Sequence, residues 1–259
     1  MASLYLNEEL HADAFRPGAR LAVWSADARH AAQVARVRTG ERIGVGDGRG
    51  RIGWGRVVHV AANEVAIEAD EIAVTERAAP RLVLVQALAK GDRDELAIQA
   101  ATELGVAEVI PWQAARSVSV WKGEKAAKGL ERWRGIVREA SKQAIRAWVP
   151  EVGELASTKS LVEALRLASL AQGRERTLVL EPTAQASLVE VISRRAPADR
   201  SPIADLRLVV GPEGGIDDWE LRELEQAGAV PVRLGAEVLR TSTAGPAAIA
   251  ALQTLLGRW

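Results

Sequence analysis

Two glycine-bearing loops near the C-terminus contain the residue types best suited to binding a ligand. The first, Gly211–Gly215 (GPEGG), follows the apolar run Leu206–Val210. The second, Gly235–Gly245, contains the consecutive side chains Arg240, Thr241, Ser242 and Thr243. Glycine lets backbone N–H groups approach a ligand closely, and hydroxyl groups donate or accept hydrogen bonds. Two such loops in succession predict a small-molecule site, although each loop taken alone is typical of an ordinary tight turn.

These loops need strands and helices that bring them to one edge of a sheet. The run Leu206–Val210 has strand character, a helix is predicted from Asp217 to about Ala227, and residues 229–234 (AVPVRL) form the next predicted strand before an apolar terminal helix. From Arg81 onward, strand-like and helix-like segments alternate, which predicts an α/β domain with a mainly parallel sheet. Ligands bind at the carboxyl ends of the strands in open sheets of this kind.

The first strand of this domain, Arg81–Leu88, leads into a predicted helix. Asp92 is expected at the N-cap, with Glu95 closing a capping box, and Gly105 is expected at the C-terminal end. Residues 70–80 combine charges, alanines and a proline, which predicts a linker before this strand. The segment before it, residues 1–74, shows short alternating runs that are typical of a small β-barrel. There the pattern Gly48-x-Gly50-x-x-Gly53 leads into strand-like residues, so we interpret it as a hairpin and not as a dinucleotide site.

Composition excludes several classes of protein. No apolar run approaches the ~18 residues of a membrane-spanning helix, and the N-terminus lacks the pattern of a signal peptide. The chain has no cysteine, which excludes disulfides, thiolate metal sites and methylation of pyrimidine C5 through a cysteine adduct. Its three histidines are too sparse for a zinc site. We therefore expect a cytoplasmic protein with no metal site and no membrane segment.

The C-terminal motifs resemble a known enzyme family. GPEGG, followed about twenty residues later by LGxxVLRTxTA, resembles the cofactor-binding region of the SPOUT methyltransferases, and more closely that of the 16S ribosomal RNA uracil-N3 methyltransferases. Residues 86–106 (QALAKGDRDELAIQAATELGV) resemble a further signature of the latter family. The resemblance implies methylation of uridine N3 in 16S rRNA of the small ribosomal subunit, with S-adenosyl-L-methionine as cofactor. Two alternatives stay open: a ribose 2′-O-methyltransferase of the same superfamily acting on rRNA or tRNA, and a non-catalytic RNA-binding assembly factor.

The resemblance also implies an architecture. Residues 1–74 would form a PUA-like RNA-binding β-barrel, and residues 75–259 a SPOUT α/β domain. The C-terminal part of that domain, about 178–259, would thread a trefoil knot, an exception to the rule that chains do not thread loops. The family acts as a homodimer, so a second copy of the chain is an expected partner alongside the small-subunit RNA.

Three loops would supply the cofactor pocket, the third being Glu181-Pro182 after the strand 177–180. The cofactor-binding residues implied are Leu180, Glu181, Pro182, Gly211, Glu213, Gly214, Gly215, Ile216, Leu234, Gly235, Leu239, Arg240, Thr241, Thr243 and Ala244. Arg240 is the candidate cation for stabilising negative charge on the uracil oxygens. Glu213 is a candidate catalytic base, but its carboxylate could equally bind the cofactor or cap a backbone turn.

Formal net charge is zero, yet the charges are segregated along the chain. Residues 29–56 contain seven arginines against two acids, and residues 63–76 contain five acids and no base. The segment His30–Gly40 resembles the family signature HxxxVLRxxxG, and 110–117 resembles its SER-containing loop. We expect Arg36 and Arg38 in the first segment and Arg116 in the second to contact RNA, the alternative being that these arginines only keep the surface soluble.

A long helix is predicted from about Glu124 to Trp148, with a basic stripe on one side. The stripe consists of Arg134, Arg138, Lys142 and Arg146 at successive i,i+4 positions. Either this is a solvated face or it contacts phosphates, and the second interpretation makes Arg138, Lys142 and Arg146 RNA-binding candidates. The family pattern AxEQxGR is matched here at Gln143 and Arg146, whereas Lys142 replaces its glutamate.

Overall fold

The computed structural model describes residues 3–170, 175–193 and 203–259. The chain divides into two compact units. The first extends to Arg77 and also takes in Arg138–Val149; the second comprises Ala78–Val137 and Pro150–Trp259. Two consecutive domains were expected from the sequence, and the return of residues 138–149 to the first unit was not.

In its described residues, the first unit contains a five-stranded sheet of order β1-β3-β4-β5-β2. The strands are β1 (Leu4–Leu6), β2 (Arg20–Trp24), β3 (Arg42–Gly46), β4 (Arg51–Ala61) and β5 (Glu64–Val74). A short helix, α1 (Ser25–Arg29), continues into a π-helical turn, His30–Val34. Alternating apolar side chains from these strands, such as Leu21, Val45 and Ile67, form the core of the unit.

The Gly48–Gly53 segment is a hairpin, as predicted. Its turn joins the antiparallel strands β3 and β4, and Gly48 and Gly50 both have positive φ. The Asp47 carboxylate accepts hydrogen bonds from the backbone N–H groups of Arg49 and Arg51, which closes the turn. The predicted linker, in contrast, begins too early: residues 70–74 complete β5, where Glu71–Val74 pair with β4. Asp70 and Glu71 also form ion pairs with Arg42 of β3.

The C-terminal part of the long helix belongs to the first unit, where its basic side chains meet buried acid. The Asp27 carboxylate is 4% exposed; it accepts a hydrogen bond from Lys142 Nζ at 2.7 Å and another from Arg138. Arg138 also pairs with Glu8 at 2.6 Å. Arg138 and Lys142 therefore hold α1 and β1 to this helix, and the predicted solvated stripe does not exist at these two positions.

The long helix itself, α3, spans Glu124–Gln143 and not Glu124–Trp148. Ile145 has φ of +53°, which no continuing helix permits. Ile145, Ala147 and Val149 pack instead on Leu4, Leu6 and Ile52. Arg146 is consequently off the helix, and burial lowers its pKa to about 10. Leu130, Trp133, Val137 and Ala140 form the buried face of α3, and Ala144, at the same helical spacing, is half-buried.

The second unit is built on a parallel sheet, as expected from its alternating pattern. Within the described ranges the sheet has the order β12-β10-β11-β6-β7-β8, with β9 also pairing with β7, and every pairing is parallel. The strands are β6 (Arg81–Ala87), β7 (Glu108–Gln113), β8 (Glu151–Val152), β9 (Ala156–Ser157), β10 (Glu175–Leu180), β11 (Asp205–Val210) and β12 (Val230–Val232).

Helices cover both faces of this sheet. They are α2 (Arg93–Glu103), α4 (Thr158–Leu170), α5 (Leu188–Ser193), α6 (Asp218–Gln226) and α7 (Thr241–Leu255). α4 and α6 pack with Val85, Val179 and Val209 on one face, whereas α2 and α7 pack together on the other. Strands buried on both faces are continuous apolar runs, which explains the sequence of β6 and β11.

Helix ends follow the predicted residues in part. Asp217 caps α6 in a complete capping box with Glu220, and Gly105, with φ of +98°, terminates α2. Asp92 is the N-cap residue of α2, but its side chain makes no capping bond, and Glu95 pairs with Arg132 of α3. The predicted capping box there is wrong. The segment expected to form the knot, 178–259, includes residues 194–202, which lie outside the described residues.

The buried charge cluster allows a stability test. We expect Asp27→Asn to lower the free energy of unfolding by about 3 kcal/mol, because Lys142 loses the countercharge that compensates its burial. Urea unfolding of the whole chain measures the effect. The matched control is Asp70→Asn, which removes a carboxylate from an exposed pair with Arg42 and should change stability much less. Equal losses in the two variants would contradict the structural role of Asp27.

Candidate functional site

The carboxyl ends of three neighbouring strands form the floor of a cavity of about 510 Å³ in the second unit. Register places Val232, Leu180, Val210 and Gln86 side by side in one row across β12, β10, β11 and β6. The first three line the cavity. The loops that follow these strands rise from the same row, so the glycine-bearing loops meet at the predicted edge of the sheet.

Most of the predicted cofactor-binding residues line this cavity. They are Leu180, Glu181, Pro182, Gly211, Glu213, Gly215, Ile216, Leu234, Gly235, Leu239, Arg240, Thr241 and Ala244. Gly214 and Thr243 are exposed and do not line it. The lining also includes residues that the sequence did not single out: Arg93, Val210, Pro212, Val232, Arg233, Glu237 and Val238. Arg93 could have been predicted from the sequence, because it follows β6, and β6 is the strand next to β11 in the sheet.

The GPEGG loop is held from outside by Arg116. The Arg116 guanidinium donates hydrogen bonds to the carbonyl oxygens of Gly214 and Ile216 at 3.2 and 3.4 Å, and it pairs with Asp217 at 3.0 Å. Glu220 of α6, fully buried, accepts a hydrogen bond from the backbone N–H of Ala115 at 2.9 Å. These contacts give Arg116 a structural function in the loop, whereas the sequence suggested an RNA contact.

Glu213 is tied to the loop that follows β6. Its carboxylate accepts hydrogen bonds from the Arg93 guanidinium at 2.6 Å and from the backbone N–H of Lys90 at 3.0 Å. Partial burial raises the pKa of Glu213, whereas these two bonds and a hydrogen bond from its own backbone lower it. The hydrogen bonds have the larger combined effect, so the pKa of Glu213 is lowered. The bonds from Arg93 and Lys90 are both accepted by Oε1. A carboxylate with a lowered pKa is a poor proton acceptor, so the geometry favours the capping interpretation.

The second loop is shorter than predicted, because α7 begins at Thr241 and not after Gly245. Thr241, Thr243 and Ala244 therefore lie in the first turn of a helix, whose Gly245 packs on Leu84 and Val210. The Thr241 hydroxyl donates to the carbonyl oxygen of Gly211 at 2.7 Å, which joins the two loops.

Among the residues that the structure describes, Arg240 is the cavity-lining arginine whose guanidinium makes neither an ion pair nor a hydrogen bond. It occupies the N-cap of α7, is exposed, and has no ion-pair partner within the described residues. Arg233, also in the lining, donates instead to the carbonyl oxygens of Ala184 and Gln185. Arg240 is thus positioned to meet a negative charge that enters from solvent.

The remaining predicted RNA contacts lie in the first unit. Arg36 and Arg38 are exposed beside the π-helical turn, and Arg36 has φ of +55°, an unusual conformation for a side chain other than glycine. Arg138, Lys142 and Arg146 are in the same unit but largely buried or paired, as described above. No helix within the described ranges combines the length and apolar composition that a bilayer-spanning segment needs.

Comparison with protein families identifies the family to which the cavity and the two units belong. The RNA methyltransferase domain family matches residues 76–253, which include every residue of the cavity, and the RNA methyltransferase PUA domain family matches residues 25–70. The chain belongs to the RNA methyltransferase family. The α/β unit is its methyltransferase domain, and the five-stranded unit contains its PUA-like domain.

Relatives of this RNA methyltransferase agree over most of its length. The ribosomal RNA small subunit methyltransferase E of Mycobacterium bovis is 43% identical over 232 residues, which cover 89% of this chain and 84% of the relative. The Bacillus subtilis protein of the same name is 34% identical over 176 residues, covering 66% of this chain and 65% of the relative.

Solved structures show the same fold. Ribosomal RNA small subunit methyltransferase E from Neisseria gonorrhoeae, bound to S-adenosyl methionine, superimposes with a TM-score of 0.81 at 29% identity and 98% coverage of both chains. A methyltransferase from Legionella pneumophila, in complex with the same cofactor, gives a TM-score of 0.80 at 26% identity and 98% coverage of both.

A buried carboxyl group beside the methyltransferase cavity makes stability depend on pH. Asp94, 4% exposed, lies in the first turn of α2, and burial raises its pKa from 3.8 to about 6 despite hydrogen bonds from the backbone N–H groups of Ala89 and Glu95. Because the folded state binds this proton more tightly, the associated stability is present below pH 3.8 and is lost as pH rises through about 6.

We expect Asp94→Asn to remove this dependence. Relative to the variant, the wild type should lose about 3 kcal/mol of unfolding free energy between about pH 4 and pH 7, measured by urea unfolding at each pH. Asp92→Asn, at an exposed neighbouring position, is the control and should follow the wild type. A constant difference between wild type and Asp94→Asn across this range would show that Asp94 does not titrate there.

Proposed function

We propose that this protein transfers a methyl group from S-adenosyl-L-methionine to N3 of a specific uridine in 16S rRNA of the small ribosomal subunit. The observation that carries the proposal is the cavity formed by the loops after β10, β11 and β12. Its support comes from relatives named ribosomal RNA small subunit methyltransferase E, one of them at 43% identity, and from two similar structures with bound cofactor.

The cavity has the size and chemistry that the cofactor requires. A volume of about 510 Å³ suits a ligand of nucleoside size. Val210, Ile216 and Leu239 supply apolar walls for a flat base, and the glycine-bearing loops supply backbone groups for hydroxyl and charged groups. When bound, the cofactor supplies an electrophilic methyl group; the chain has to orient it towards the uracil and exclude water.

Arg240 supplies the main electrostatic contribution in this proposal. Uridine N3 carries a proton and becomes nucleophilic only when that proton leaves, which spreads negative charge over the two neighbouring carbonyl oxygens. Arg240 lines the cavity, is exposed to an incoming base, and has no carboxylate partner in the described part of the chain. Its guanidinium would stabilise this charge in the transition state.

Glu213 is a weaker candidate for the base that removes the N3 proton. Its Oε1 accepts hydrogen bonds from the Arg93 guanidinium and the Lys90 backbone N–H, and its pKa is lowered. We therefore assign Glu213 to holding the GPEGG loop against the loop after β6. The proton then passes to water as the uracil ionises beside Arg240.

The rest of the proposed assembly follows the family resemblance. We propose that the chain acts as a cytoplasmic homodimer, and that residues 178–259 thread a trefoil knot around the cavity. Arg36 and Arg38, exposed and without an ion-pair partner among the described residues, are the RNA contacts that we retain. Arg116, Arg138, Lys142 and Arg146 are not retained, because their environments give them structural functions.

Nucleoside mass spectrometry tests the reaction. The protein is incubated with S-adenosylmethionine and small ribosomal subunits from cells that lack the modification, and the digested RNA is searched for 3-methyluridine. We expect 3-methyluridine at one position. A methyl group on ribose would identify a 2′-O-methyltransferase, and intact cofactor binding with no methylated product would indicate a different RNA. Failure to bind the cofactor would leave the RNA-binding assembly factor as the better explanation.

Arg240 is tested by substitution. We expect Arg240→Ala to lower kcat about 100-fold with little change in cofactor affinity, because the charge it stabilises develops only in the transition state. Turnover and calorimetric titration of the cofactor measure the two effects. The control is Arg222→Ala on α6, an exposed arginine outside the cavity lining. If Arg240→Ala keeps both turnover and affinity, its electrostatic role is wrong.

A further inference from the structure

Gln86 is the polar member of the row Val232, Leu180, Val210 and Gln86, of which the first three residues line the cavity. We infer that Gln86 is a positioning residue of the cofactor site, acting through the Thr241 hydroxyl on the carbonyl oxygen of Gly211. The inference rests on the proposed function, because it concerns how the cofactor loops are held. It assigns a function to a residue that does not line the cavity.

Strand register explains how Gln86 reaches both loops. Gln86 lies opposite Val210, the last residue of β11, so it adjoins the start of the GPEGG loop. Side chains alternate along a strand, and Leu84, two residues earlier, packs against Gly245 of α7. Gln86 therefore points to the same helix, near its first turn, and is completely buried there.

The direction of each hydrogen bond follows from the available protons. Thr241 Oγ1 lies 2.7 Å from the Gly211 carbonyl oxygen, which can only accept, so the hydroxyl proton is used there. Gln86 Nε2 lies 2.8 Å from the same Oγ1 and must donate to it. Its other proton is directed to the Ala87 carbonyl oxygen at 3.2 Å.

This polarity changes the function expected of Thr241. A hydroxyl group has one proton, and here it is committed to Gly211 inside the protein. Thr241 is also 6% exposed. Thr241 thus joins β6, the GPEGG loop and the N-terminus of α7, and has no hydroxyl proton to donate to a cofactor.

The Gln86 amide oxygen, Oε1, indicates that this residue positions the cofactor loops more than it stabilises the folded state. Its Oε1 is buried and has no hydrogen-bond partner in the described residues. A buried unpaired acceptor is unfavourable, and an apolar side chain of similar shape would avoid it. The donor group of Gln86 therefore explains a glutamine at this position, because it fixes the Thr241 hydroxyl towards Gly211.

The experiment separates positioning from stability with four single substitutions and one double variant. Gln86→Met and Thr241→Val each break the connection while keeping side-chain size, and their combination forms a double-mutant cycle. Thr241→Ser keeps the hydroxyl. Thr102→Val is the control, because it removes a fully buried hydroxyl that bonds within α2 to the Ile98 carbonyl oxygen. Calorimetric Kd for S-adenosylmethionine, Tm and amide hydrogen exchange of the Gly211–Ile216 segment are measured.

We expect Gln86→Met and Thr241→Val each to raise the cofactor Kd about tenfold, and the double variant to raise it by no more than either alone. Tm of Gln86→Met should stay at the wild-type value, because the substitution removes the unfavourable buried Oε1 together with the favourable hydrogen bond to Thr241. Exchange in the Gly211–Ile216 segment should accelerate in both variants. Thr241→Ser and Thr102→Val should retain the wild-type Kd and the wild-type exchange of that segment.

Three results would overturn the inference. A raised Kd in Thr241→Val with a normal Kd in Gln86→Met would mean that Thr241 binds the cofactor directly. Additive effects in the double variant would mean that the two residues act separately, and lowered Tm with unchanged Kd would mean a purely structural role. If the wild type binds no S-adenosylmethionine, the proposed function fails, and the connection is then judged by exchange alone: unchanged exchange in both variants overturns it.

Discussion

Parallel pairing of β11 with β10 on one side and β6 on the other is the constraint on which the site depends. The backbone hydrogen bonds of this pairing align Leu180, Val210 and Gln86 at the same level, and β12 adds Val232. Residues far apart in the chain therefore begin their loops from one line. A shift of register in β11 would move Gly211 away from the loops after β10 and β12, and it would reverse which side chains face α7.

Side chains from outside the loops then fix their conformation. The GPEGG loop is bound at Gly211 by Thr241, at Glu213 by Arg93 and the Lys90 backbone, and at Gly214 by Arg116. These partners come from α7, from the loop after β6 and from the loop after β7. A cavity whose walls are held by several elements before ligand arrives requires less ordering on binding. Arg240 differs from the other arginines around the site, because no such contact engages it in the described residues.

Charge has a different function in the PUA-containing unit. Asp27, buried in α1, forms ion pairs with Arg138 and Lys142 at the C-terminal end of α3. These pairs lie within the first unit, to which residues 138–149 belong. Such groups are worth little as evidence of a binding surface, because their interactions are satisfied within the unit. Arg36 and Arg38 follow the π-helical turn, are exposed, and have no ion-pair partner among the described residues.

The sequence alone determined the fold class and most of the cavity lining. Apolar runs alternating with helical segments specify a parallel sheet, and the position of a glycine-bearing loop directly after such a strand places it at the carboxyl edge. Resemblance in the GPEGG and LRTSTA segments added the family, which the domain matches confirm. These features are local or periodic, so each can be identified from a short stretch of sequence without knowing which residues it contacts in the fold.

Only the tertiary structure decided which polar side chains are free and which are engaged. Arg116, Arg138 and Arg240 look alike in the sequence, yet one holds a loop, one compensates a buried acid and one faces the cavity. The partners of Arg116 and Arg138 lie about 100 residues or more away along the chain, so no pattern of spacing reveals them. The start of α7 at Thr241 and the contact of Gln86 with it have the same origin: hydrogen bonds between distant segments exist only after the sheet has aligned them.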